Sequence, residues 1–169
     1  MTRLSRLALA LLVAGSAAAA QDTELRRQSL KGLKGVEVLV ERLDAEAERV
    51  GLNETTIQTD VELMLRQAGI RVLTPAESLE SPGRAWLYVS PALLRISTGE
   101  ACVYTITVEL RQDVRLERDL SIEAFGATTW NARRRLGIVP TASFAPKVRD
   151  SLKDLVDQFI NAYLSVNRK

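Results

Sequence analysis

Between Ala101 and Glu117 the chain alternates with a period of two. Cys102, Tyr104, Ile106, Val108, Leu110, Val114 and Leu116 share one parity; Thr105, Thr107, Glu109, Arg111, Asp113, Arg115 and Glu117 share the other. Only Val103 and Gln112 disturb the pattern. Successive side chains of a strand point to opposite faces, so this segment has one apolar face and one wet face. Such a strand belongs to an antiparallel sheet whose apolar side must be covered by something else in the fold.

The cover is readable elsewhere. Ile57, Val61, Met64, Leu65 and Ala68 follow the N-cap candidate Asn53 at helical spacing, and Gly69 supplies a stop. Val148, Leu152, Leu155, Val156, Phe159, Ile160 and Tyr163 make a wide apolar stripe on a final helix, with Pro146 in its first turn. Val36, Val38 and Val40 alternate with Glu37 and Glu41 as a first strand. Ile70–Leu73 reads as a short second strand. Thr74-Pro75-Ala76-Glu77 starts a brief helix that Ser81-Pro82-Gly83 ends. A strand over 85–96 carries Pro91, which should bulge its pairing or place it at an edge. A turn at Ser97-Thr98-Gly99-Glu100 precedes the alternating strand, and Arg118-Asp119 turns it into a strand over 120–130. Residues 131–146 read as one long irregular segment. The expected fold is α+β: a two-layer sandwich with a four- to five-stranded, mostly antiparallel sheet and two main helices on one face. The first strand is open to parallel pairing through a right-handed crossover.

The N-terminus has a different logic. Arg3 and Arg6 precede the apolar run Leu7–Gly15, and Ala18-Ala19-Ala20 leads to Gln21. That is the layout of a secretory signal peptide over residues 1–20, cleaved near Ala20-Gln21. The apolar run is shorter than a bilayer span of ~20 residues. The expected domains are the signal, a flexible leader over 21–35, and one α+β domain over 36–169. The expected location is the periplasm or the cell exterior, with no transmembrane segment after residue 20.

The whole chain carries 23 basic and 21 acidic side chains and no histidine. The two signal arginines leave 21 of each sign beyond residue 20. Absent histidine excludes the Ser-His-Asp triad, the Cys-His dyad and HExxH zinc chemistry. The single cysteine, Cys102, excludes an internal disulfide framework and a zinc knuckle. Its parity puts it on the buried face as a small hydrophobe. In an oxidising compartment an intermolecular disulfide or a reactive thiol is the other reading. No dinucleotide, P-loop, nucleophile-elbow or calcium-loop motif occurs, so no cofactor and no metal is expected.

The run GLKGVEVLVERL, TDVELMLRQAGIRVL, YTITVELRQ and TTWN, with the C-terminal SLKDLVDQFINAYLSVN, resembles a family of uncharacterised exported bacterial proteins. Its layout is also similar to small periplasmic α+β modules. These are the N-terminal module of the Tol propeller protein and the curli-secretion and lipopolysaccharide-assembly lipoproteins. The chain lacks the lipidated cysteine of the two lipoproteins. The resemblance implies an envelope setting and carries no chemistry.

Charge points to one place. Residues 21–130 hold 13 basic and 18 acidic side chains, a net of −5, while 131–169 hold 8 and 3, a net of +5. The basic excess includes Arg133, Arg134 and Arg135, just after Trp130. Arginine forks beside an aromatic suit a phosphate or carboxylate. Trp130, Arg133, Arg134 and Arg135 are therefore the candidate contacts for an envelope protein or an anionic envelope component. The competing reading is a solvated loop whose arginines pair within the domain. Nucleic acid is not expected of a neutral exported domain. Two other functions stay open. One is a histidine-free hydrolase or lyase using carboxylates, with Glu109 and Glu123, or Asp60 and Glu62, as the pairs to watch. The other is a structural partner that pairs through a sheet edge.

Overall fold

A computed structural model describes residues 23–95 and 99–167. The proposed signal peptide, Ile96 and the expected turn residues Ser97 and Thr98 lie outside the described residues. The helices are α1 (Glu24–Gln28), α2 (Ala45–Arg49), α3 (Glu54–Gln67), α4 (Pro75–Glu80) and α5 (Phe144–Asn167). The strands are β1 (Glu37–Val40), β2 (Trp86–Arg95), β3 (Ala101–Leu116), β4 (Asp119–Asn131) and β5 (Arg135–Pro140). They form one sheet in the order β1-β2-β3-β4, with β5 also paired to β3. β1 runs parallel to β2, and every other pairing is antiparallel. The fold is α+β, with a five-stranded mixed sheet.

Local chemistry sets the helix starts. Asn53 accepts from the Thr56 N–H at 3.0 Å, and Asp44 from the Ala47 N–H at 2.7 Å, satisfying donors the first turn leaves open. Thr74 and Glu77 form a reciprocal capping box with Pro75 at the helix start. Gly69, at φ +76°, takes the left-handed conformation that ends α3.

The alternation of β3 is realised as burial. Cys102, Tyr104, Ile106, Val108 and Leu110 are all buried. Val36, Val38, Leu87 and Val89 extend the same face, and it packs against Ile57, Val61 and Leu65 of α3 and Val148, Leu152, Leu155, Val156 and Phe159 of α5. Burial of this continuous apolar layer, worth about 25 cal/mol per Å² removed from water, holds the two layers together. Asp60 of α3 accepts from both Nε and Nη2 of Arg149 of α5, at 2.9 and 2.7 Å, and fixes the crossing of the two helices.

Pro91 sits where β1 has ended, since β1 pairs only with Trp86–Val89. The missing N–H is therefore tolerated on an open strand side. Cys102 is a free, buried thiol 3.5 Å from the Thr141 hydroxyl.

Three expectations differ from what is observed. Residues 23–35 are not a loose leader: Leu30 is fully buried, its carbonyl accepts from Asn167 Nδ2, and the Leu33 carbonyl accepts from Tyr163 Oη. One buried leucine and the α5 terminus anchor a segment whose composition is polar. Ile70–Leu73 makes a single parallel bridge, Val36 to Val72, because α4 begins at once. Residues 131–146 are not irregular: they contain β5, a short 3₁₀ turn (Thr141–Ser143) and the start of α5.

Candidate functional site

The four residues singled out by composition do not converge. Trp130 is fully buried and stacks edge-to-face on Phe159 at 5.4 Å between centroids. It is a core residue, a correction to the contact role expected of it: its parity on β4 faces α5, so its ring is withdrawn from any ligand. Arg135 points to the helix side and pairs with Asp154 at 3.1 Å. The Arg133 backbone N–H donates to Gln158 Oε1 at 3.1 Å. The Arg133 and Arg134 side chains are exposed. Arg133 and Arg134 lie in the step between β4 and β5, and Arg135 is the first residue of β5, where Asp154 takes up its guanidinium.

The carboxylate pairs do not assemble either. Glu109 lies opposite Asn131 and Glu123 opposite Arg115, six positions apart along β3, or about 20 Å. Glu109 accepts from Arg111 and Thr128, and Glu123 from Arg115. Asp60 is held by Arg149, and Glu62 accepts from Arg66 and Gln58. A shallow cleft of about 410 Å³ between α4 and the β3–β4 hairpin is lined by Arg84, Asp113, Arg115 and Glu123, whose charges pair off as Arg84–Asp113 and Arg115–Glu123. Among the described residues no group of three His, Cys, Asp or Glu could hold a metal ion. No helix among them is long and apolar enough to cross a membrane.

What the sheet does present is its outer face. Among the described residues the core cluster packs between the sheet and the helices, and no helix covers the opposite side. Toward the β1 end this face is polar and aromatic: Arg111 lies over the Tyr88 ring at 3.7 Å to the centroid and bonds Glu109. Toward the β5 end it is apolar. The register places Leu94 opposite Val103 and Val103 opposite Ile138, with Ala92, Thr105 and Leu136 in the next row. Leu94 is 70% exposed, Leu136 73% and Ile138 68%. Three large apolar side chains clustered on one uncovered face are an unusual cost for a free surface.

A one-residue bulge produces the two β5 members of this cluster. Asn131 pairs with Glu109 and Arg135 with Ile106, so four steps on one strand match three on the other. The extra residue flips the parity between β4 and β5. Trp130 and Ala132 face the core, and after the bulge Leu136 and Ile138 face out. Gly137 takes the inward position beneath Tyr104, where a Cβ would come within 2.7 Å of the ring. The composition-based reading missed these residues, although the alternation in RLGIVP was the signal for a strand.

Among solved structures the chain matches a PelC dodecamer from Paraburkholderia phytofirmans, at 18% identity and a TM-score of 0.39, over 79% of this chain and 92% of that one. No family model and no curated protein matches.

Proposed function

We propose that the chain is a non-enzymatic binding or assembly module of the bacterial cell envelope, exported by residues 1–20 and working by protein association. The observation that carries this reading is the exposed apolar end of the sheet, Leu94, Leu136 and Ile138, on a molecule in which the candidate carboxylates Glu109, Glu123 and Asp60 are each paired with an arginine. Apolar side chains gathered in one patch mark association surfaces. The export signal and the family resemblance support the envelope setting.

The test is site-specific photocrosslinking in intact cells. A crosslinker at Leu94 or Ile138 should capture an envelope protein, a second copy of this chain included, and one at Asp157, on the exposed side of α5, should not. Capture from Asp157 alone would move the interaction to the helix layer. Arg133→Ala with Arg134→Ala should weaken capture far less than Leu136→Asp with Ile138→Asp.

A further inference from the structure

We propose that β5 is a self-pairing edge, through which two copies of this chain join their sheets antiparallel about a twofold axis at Gly137. This rests on the association role proposed above and assigns the β5 side of that surface to a second copy.

The backbone directions come first. The Thr141 N–H donates to the Glu100 carbonyl and the Ala132 N–H to the Val108 carbonyl, both at 2.9 Å. The even-numbered residues of β3 therefore bond toward β4 and β5. Bonded and non-bonded pairs alternate in an antiparallel ladder. With Val139 opposite Cys102 and Gly137 opposite Tyr104, the residues Arg135, Gly137 and Val139 bond to β3. Leu136 and Ile138 then turn their N–H and C=O groups to the far edge. Among the described residues no other strand pairs with β5.

That edge is complementary to itself. A twofold axis at Gly137 sets Leu136 opposite Ile138 of the second copy. Both carry outward groups, so every outward N–H and C=O of the two residues gains a partner. Sliding by two residues one way sets Leu136 opposite Pro140, which has no N–H to donate. Sliding the other way sets Ile138 opposite Arg134, outside the strand. The side chains agree with the same register: Leu136 and Ile138 share the outer face, so they meet as cross-strand apolar pairs next to Val103.

On the opposite side, the stretch of β2 beyond β1 does not offer this. Glu37 and Glu41 donate to the Ala85 and Val89 carbonyls, so odd-numbered residues of β2 point toward β1. Beyond the end of β1 the next such residue is Pro91, which blunts that edge.

Sedimentation equilibrium of the purified protein over a rising concentration series tests the proposal. A monomer–dimer equilibrium is expected. Ile138→Pro removes an outward donor and no bond to β3, and should raise the dissociation constant at least about tenfold with an unchanged circular dichroism spectrum. Leu136→Lys keeps the backbone intact and should act in the same direction. A chain that stays monomeric, variants that dimerise like the parent, or an assembly larger than two would each overturn it, because an isologous contact closes at two. Loss of envelope crosslinks with the dimer intact overturns only the association role with other proteins. Envelope crosslinks from a strictly monomeric chain overturn only the self-pairing.

Discussion

Gly137 and Tyr104 are in closer contact than any side chain at position 137 would allow. A Cβ there would lie 2.7 Å from two ring atoms, and the ring is held by Phe144 at 6.2 Å between centroids and by Ser151 at 3.2 Å. Gly137→Ala should therefore cost about 1–3 kcal/mol in chemical denaturation, the usual cost of overpacking a core. Thr105 presents the opposite case. Its hydroxyl is buried with no hydrogen-bond partner among the described residues, so Thr105→Val should leave stability unchanged or raise it. Tyr163 links residue chemistry to pH. Burial pushes its phenol above the ordinary tyrosine value of 10.0, and its hydroxyl donates to the Leu33 carbonyl at 2.9 Å. The folded chain thus holds this proton more tightly than the unfolded chain. The stabilisation is complete below the ordinary value of 10.0 and is lost as pH rises through the folded value. Alkaline unfolding should therefore shift in Tyr163→Phe, which cannot ionise at all.

At the scale of elements, the helix starts and the central strand were legible because their signals are local. Asn53, the box of Thr74 and Glu77, and the parity of Cys102 through Leu110 each need only near neighbours to act. The backbone N–H of Thr74 holds the Glu77 carboxyl below the usual glutamate value, with its hydroxyl and Arg71 adding to the effect. The depressed pKa means this contribution is present above the ordinary value of 4.5 and is lost as pH falls through the folded value. Hydrogen-exchange protection factors at the start of α4, which correct for the intrinsic pH dependence of exchange, should fall in acid, and Glu77→Gln should remove that fall. The constellation of Trp130 with Arg133–Arg135 is divided for a tertiary reason. Parity puts Trp130 into the core, and Asp154 of α5 takes up Arg135, neither of which composition encodes. β5 was missed because it follows the one-residue bulge: Leu136 and Ile138 look like a core-facing pair, yet they point out. The order of residues 23–35 is tertiary in origin: Leu30 is buried, and Asn167 and Tyr163 of α5 donate to the Leu30 and Leu33 carbonyls. Leu30→Ala should cost about 2–5 kcal/mol, in line with other buried leucines, and expose 23–35 to proteolysis.

At the scale of the molecule, the described residues form a sheet covered by helices on one side only. α3 and α5 cover the core face, and the outer face is polar over Tyr88, Glu109 and Arg111 but apolar over Leu94, Leu136 and Ile138. The charge split between the two parts of the sequence is bridged where α5 crosses α3, because Arg149 of the basic part pairs with Asp60 of the acidic part. At this scale Leu136→Asp with Ile138→Asp should leave the melting temperature of the dilute, monomeric chain almost unchanged while raising solubility, since both side chains are largely exposed in the single chain. A deletion of one residue in the step at 132–134 would restore the parity of β4, turn Leu136 and Ile138 under the sheet and push Gly137 out. Ile138 would then take the place of Gly137 beneath Tyr104, where even a Cβ comes within 2.7 Å of the ring, so the step is what lets two outward apolar side chains and the close glycine–tyrosine contact coexist.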